Sequence, residues 1–390
     1  MLTPYDEFPV HQYAYPFSQI PASDFNWDDG YYFGVYNADA GIFLYTGMRI
    51  TPNADMIGCY AGVTVRGRQT TVRASRIWRP DFRTEVGPLR FEFVEPFREI
   101  RLLLDRNDSP FAFDLRWLGL APAHEEAHHL ARHRGRVTTD QTRYTQGGTA
   151  EGWIEIGGER HEVRAHEWYA DRDHSWGLYE PRGPLSDPRQ WLPPREDSGP
   201  KRMFRFWLPF QARDLSGFYH FHEDEHGRQG ELNDPFGTPF EGAIDAGFDG
   251  ERLALVRGRH SLRFRPGSRV LEGGTVQLED EHGREWRQEL EVTAPAWVTF
   301  PIGYYQGNWR DGGNIHTYHG QSPYVEWDEL DFTTQPTDHT DYAGREYRGI
   351  LGAEYAVRVR TEGPDGIAAN GLGHLEFFVH RRYRGYSFEQ

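Results

Sequence analysis

The chain has 390 residues, enough for one large domain or two. Lys and Arg number 43 against 59 Asp and Glu, a net charge of −16 with no basic block, which argues against nucleic acid and anionic membranes as partners. The single cysteine, Cys59, excludes an intrachain disulfide, and no apolar run approaches the ~20 residues of a membrane helix. The opening MLTPYDEFPVHQYAYPF has neither a basic n-region nor an apolar h-region, so the expectation is a cytoplasmic protein with no membrane insertion. Aromatics at 15 %, with abundant Gly and Pro, favour strands and turns over helices.

Residues 1–29 read as an extended arm on the body. Strands are predicted at Tyr31–Tyr36, Gly41–Tyr45, Ile57–Val65, Thr70–Ile77, Leu89–Val94, Glu99–Leu104 and Phe111–Trp117. One helix is predicted, Ala123–Arg134. Strands near Thr142–Gln146, Gly152–Ile156 and Arg160–Trp168 follow, the last two joined by a Gly157-Gly158 turn. Residues 181–200, Pro-rich around Trp191, form a linker or a loop over a site. Strands resume at Arg202–Leu208, Gly217–His222, Gln229–Leu232, Glu251–Val256, His260–Phe264, Thr275–Glu279 and Glu285–Val292. The hexapeptide EDEHGR occurs at 223–228 and 279–284, and both copies read as hairpin tips with Gly in the left-handed position. Tyr304–Asp331 reads as a hairpin about Gly312-Gly313, and strands close the chain at Glu346–Arg360 and Gly371–Tyr383.

The densest chemistry is YADRDHSWG, residues 169–177. On a strand, Tyr169, Asp171, Asp173 and Ser175 share one face, and Ala170, Arg172, His174 and Trp176 the other. One face must then bury two carboxylates, or an arginine and a histidine, which is costly unless they are paired or have a task. The same residues also fit an ion pair at a strand end with Trp176 as a core anchor. HEEAH at 124–128 matches the zinc-protease pattern H-E-x-x-H but lacks a long helix and a third ligand, so no metal is expected there. Ser175 and His174 are adjacent, hence on opposite faces, and no nucleophile elbow or phosphate loop is present. What remains is acid–base chemistry in an aromatic pocket, where desolvation raises a carboxyl pKa and aromatic faces stabilise a transient cation.

At RDHSWG (172–177) the chain resembles the carotenoid hydratase (hydroxyneurosporene synthase) and AttH-like group, supported by Gln146, Gly147, Gly152 and Gly157-Gly158 upstream and by Tyr324–Asp328 and Gly371–Glu376 downstream. The resemblance implies an all-β fold of two tandem lipocalin-like barrels, 1–180 and 181–390, with the motif near their junction. It also implies cofactor-free hydration, dehydration or isomerisation of a small hydrophobic substrate, terpenoid, steroid or aromatic. Asp173 would then be the proton donor, His174 its relay and Arg172 the group that orients the carboxylate. Trp176, Tyr169, Trp309, His316, Tyr318, Glu326, Asp328 and Glu376 are the candidate substrate-binding residues. A non-catalytic carrier of an apolar ligand and a carbohydrate-active enzyme with paired carboxylates remain open alternatives.

Overall fold

The computed structural model describes residues 13–133, 135–179, 200–212, 214–230, 238–293, 297–333, 339–347 and 352–388, with Pro9 and Leu232. The predicted loop at 181–200, with Trp191, lies outside the described residues except for Pro200, as does most of the first twelve residues of the arm.

The first half forms β1 (Trp27–Asn37), β2 (Ile42–Thr51), β3 (Met56–Val65), β4 (Arg68–Ile77), β5 (Glu85–Val86), β6 (Leu89–Glu95), β7 (Glu99–Leu104) and β8 (Phe111–Gly119). It continues with β9 (His124–Glu125), β10 (His129–His133), β11 (Arg136–Ile156), β12 (Glu159–Val163) and β13 (Tyr169–Tyr179). The second half forms β14 (Phe204–Ala212), β15 (Leu215–Glu223), β16 (Phe240–Asp245), β17 (Arg252–Phe264), β18 (Leu271–Asp280) and β19 (Glu285–Val292). It ends with β20 (Tyr324–Asp331), β21 (His339–Thr340), β22 (Glu346–Tyr347), β23 (Gly352–Glu362) and β24 (Ala368–Val379). The fold is all-β. Two short 3₁₀ turns, Phe300–Ile302 and Pro364–Gly366, are the only helical pieces among the described residues, and no helix is long and apolar enough to cross a membrane.

Strands β14 to β19, β23 and β24 close into an eight-stranded antiparallel barrel. The first sheet runs β20-β4-β3-β2-β1-β13-β11-β8-β7-β6-β5 and curls until Cys59 on β3 meets the Val86 carbonyl on β5. Strand β20 therefore leaves the second half of the chain to pair with β4.

Each body has its own core. The first packs Phe33, Leu44, Val63, Phe91, Leu115 and Trp117. The barrel interior is filled by Phe204, Phe206, Phe221, Leu375 and Phe377. A third cluster, including Tyr36, Phe43, Tyr45, Tyr60, Trp297 and Leu372, glues the two together. Strands β2 and β3 are thus covered on both faces and buried along nearly their whole length, whereas β17 alternates because one face meets water. Gly147 marks the close approach: a Cβ there would lie 2.3 Å from Ser216 Oγ on the barrel.

Four expected elements are corrected. The segment expected as a helix is strand, β9 and β10 pairing with β11, because the edge of that 21-residue strand outweighs a weak helical propensity. The strand expected to end at Trp168 stops at Val163, and a turn in which the Trp168 amide bonds the Arg164 carbonyl precedes β13. Gln229 and Gly230 are not strand. Tyr304–Asp331 is not a hairpin: residues 303–323 are irregular, and only β20 is extended. Both EDEHGR copies form the same tight turn, in which Asp224 and Asp280 each accept backbone bonds from the residues two and four further on, but only the second is the tip of a hairpin, β18–β19; the first opens the longer connection from β15 to β16.

Candidate functional site

Strand β13 sits between β1 and β11, so both of its edges are paired. Its alternation is the one the sequence requires. Ala170 joins the core of the first sheet, and Arg172 lies beside it, over Trp117 and Phe97. Asp171 and Asp173 point the other way, toward the barrel. On the barrel side, β24 alternates too: Leu375 and Phe377 fill its interior, leaving His374 and Glu376 on its outer face. The two outer faces enclose a cavity of about 350 Å³, at the small end of ligand pockets. It lies between the bodies, whereas the barrel interior is packed with side chains.

Three ionic groups meet there. Arg143 on β11 pairs with Asp173 at 3.3 Å. Arg205 on β14 grips both oxygens of Glu376 at 2.9 Å, a bidentate geometry. His374 is the centre of the third: its Nδ1 lies 3.0 Å from Asp171 Oδ2 and its Nε2 lies 2.7 Å from Glu354 Oε2. It thus joins β13 of the first sheet to β23 of the barrel. Aromatic walls complete the space, with Tyr32 stacked on His374 and Trp207 edge-on to it, and with Trp297 stacked on Tyr45.

The electrostatics follow from burial. Burial pushes the Asp173 carboxyl above its usual range, and Arg143 only partly offsets this. Glu354 is raised for the same reason, to about 7, although His374 lowers it. Burial alone would deprotonate His374, but the carboxylates of Asp171 and Glu354 win and lift it to about 10. Burial, then Asp171 and Glu354, keep the Tyr32 hydroxyl protonated, and that hydroxyl has no hydrogen-bond partner among the described residues.

Of the expected site residues, Asp173 and Glu376 line this cavity. Arg172, His174 and Trp176 lie across β13 from it. Arg172 donates to Gln146 Oε1 at 2.8 and 3.0 Å instead of to Asp173, so Arg143, not Arg172, orients that carboxylate. His174 bonds Asp29 at 2.7 Å and Tyr144 at 3.2 Å, and cannot relay a proton to Asp173 from the opposite face. Trp176 packs near His174 and Tyr144, and Tyr169 joins the aromatic cluster between the bodies.

The remaining five residues are elsewhere. Glu326 and Asp328 pair with the fully buried Arg73, which lies over Trp309. His316 contacts Thr51 Oγ1 at 3.2 Å, and the Tyr318 ring is exposed. Sequence reasoning missed Arg143, Arg205, Glu354, His374, Tyr32 and Trp207. For the charged ones the signal was a polar residue between apolar neighbours on a strand, as in Phe204-Arg205-Phe206.

A family of unknown function, DUF8625, matches residues 2–346, and the chain belongs to it. That membership leaves kinship with carotenoid hydratases unshown. No curated protein matches the chain. Among solved structures, kievitone hydratase from Nectria haematococca is similar at 9 % identity, over 90 % of this chain and 88 % of that one, with a TM-score of 0.44. CghA with Sch210972 is similar at 10 % identity, over 92 % and 90 %, with a TM-score of 0.49. CghA alone is similar at 9 % identity, over 91 % and 88 %, with a TM-score of 0.48. At such scores the chemistry has to be argued from the cavity itself.

Proposed function

We propose that the chain is an acid–base enzyme, a cofactor-free hydratase, dehydratase or isomerase, acting on a small substrate with an apolar, unsaturated body held in the cavity between sheet and barrel. The observation that carries this reading is the Asp171–His374–Glu354 chain, which opens onto the same space as a second carboxyl, Asp173, whose pKa burial raises. Two carboxyls held toward neutrality in one aromatic-walled space are what protonating an alkene and then activating water requires. In this reading Asp173 gives the proton. Glu354, poised by His374 and Asp171, takes one from water or from the adjacent carbon. Tyr32 donates to a substrate oxygen, and Trp207 and Trp297 face the transient cation.

The carbohydrate-active reading stays the alternative: Arg205 holds Glu376 ionised against burial while burial raises Asp173, and a glycosidase likewise pairs one carboxylate with one protonated acid.

The test is to incubate the chain with a panel of hydroxylated aromatic and terpenoid alkenes in deuterated, oxygen-18 water. Deuterium with oxygen-18 marks hydration, and deuterium alone marks isomerisation. Asp173→Asn should lower the rate by roughly 10²–10⁴. Full activity in that variant, or no incorporation with any substrate, removes the reading.

A further inference from the structure

A second group of ligand-type side chains gathers where the first sheet meets the barrel. His220 on β15 and Glu241 on β16 stand directly opposite each other across their ladder. Tyr219 and Phe221 fill the barrel, so His220 lies on its outer face. Glu126, between β9 and β10, reaches the pair from the first sheet. One oxygen from each glutamate and one ring nitrogen of His220 all lie within 4.8 Å of one another.

We propose that Glu126, His220 and Glu241 bind one divalent transition-metal ion of the zinc type, clipping the 124–133 segment of the first sheet to the barrel. Three observations carry this. First, two buried or half-buried carboxylates face each other, and among the described residues no hydrogen bond joins them. Second, His220 is 1 % exposed and its Nδ1 is buried without a hydrogen-bond partner, 3.7 Å from Glu241 Oε1. Its Nε2 lies 3.2 Å from Thr238 Oγ1. With Nε2–H donating there, the Nδ1 lone pair faces two carboxylates, an arrangement that is repulsive alone and attractive around a cation. A second ring nitrogen tied to an outer oxygen is also how metal-bound imidazoles are held in place.

Third, both carboxylates are already aimed. Glu126 Oε1 accepts from Thr145 Oγ1 at 2.7 Å and Trp207 Nε1 at 3.2 Å, and Glu241 accepts from the Ala127 amide at 3.0 and 3.1 Å. One imidazole and two carboxylates suit zinc and its neighbours better than calcium or magnesium, and three protein ligands leave a position for water.

This is not the zinc-protease pattern in HEEAH. Glu125 is exposed, and His128 faces solvent beside Asp140. The ligand is the second glutamate, and its partners come from strands about 95 and 115 residues further along. The inference stands apart from the proposed reaction.

The test titrates Zn²⁺ into the full chain after chelator treatment, by calorimetry, with Tm followed in parallel. One tight equivalent is expected, with a Tm rise on the order of a few degrees. Glu126→Gln and Glu241→Gln keep the shape and an acceptor oxygen, and each should weaken that equivalent by roughly a hundredfold. His128→Ala should not weaken it. No tight equivalent, or one that survives both glutamine variants, overturns the site and leaves the glutamates sharing a proton. If a variant fails to fold, zinc-edge X-ray absorption on the unaltered chain decides. One imidazole with oxygen ligands supports the site, and two or more imidazoles or a thiolate overturn it.

Discussion

Two regions of this molecule set an arginine against a buried or half-buried carboxylate, and they behave oppositely. At Arg73 the guanidinium reaches Asp328 at 2.6 Å and also pairs with Glu326, and Trp309 and Tyr342 pack over it. Burial opposes ionisation of Asp328, yet Arg73 and Tyr342 outweigh it and hold the carboxyl below its usual range. At Arg143 the pair to Asp173 is longer, 3.3 Å, the carboxyl borders open space, and burial wins, so its pKa rises. The residue types are the same. A tight knot makes a clamp, here the one that ties β20 to β4, whereas a loose pair beside a cavity leaves an acid able to hold and release a proton.

The sharpest way to break this comparison is to cut both knots. Arg73→Ala strands two carboxylates and should cost about 3–5 kcal/mol, read as a lower denaturant midpoint. Asp173→Asn should cost within about 1 kcal/mol, because it removes a carboxyl that burial already disfavours, while lowering turnover by roughly 10²–10⁴. Equal losses of stability would make both regions clamps.

The His374 junction predicts a pH dependence. Its folded pKa, about 10, lies above the ordinary histidine value, so its contribution is complete below about pH 6.5 and is lost as pH rises through about 10. Glu354, raised by burial, acts in the same direction at lower pH. Stability should therefore fall between pH 6.5 and 10 by an amount on the order of a few kcal/mol, and His374→Gln should flatten the curve. A profile that is the same in both chains would show that the imidazole is not charged between its carboxylates.

The strands were legible because alternation is local. YADRDHSWG, read as a strand, has Asp171 and Asp173 on one face, and that is where they lie. The partner of Asp173 was not legible. Arg143 lies 30 residues earlier, and β11 brings it alongside only through a register that pairs Thr145 with Asp173. His374 and Glu354 were hidden for the same reason: they sit on the outer face of a barrel, where a polar residue reads as solvated until another body covers it. The irregular stretch before β20 misled in the opposite way. Its Trp309, with Glu326 and Asp328 of β20, looks like a site, but these three serve Arg73.

The smallest effect tests the two faces of β13 against each other. His174 is next to Asp173 in sequence, bonds Asp29 and Tyr144, and stacks on Tyr31 with ring centroids 4.1 Å apart. His174→Gln keeps one polar partner and loses the stacking, so stability should drop by about 1 kcal/mol. Turnover and its pH profile should stay as they were, because the peptide plane between residues 173 and 174 sends their side chains to opposite sides of the sheet. If this variant loses activity as Asp173→Asn does, protons are being carried across the strand through Tyr144 or Tyr31, and the cavity is not the whole of the active site.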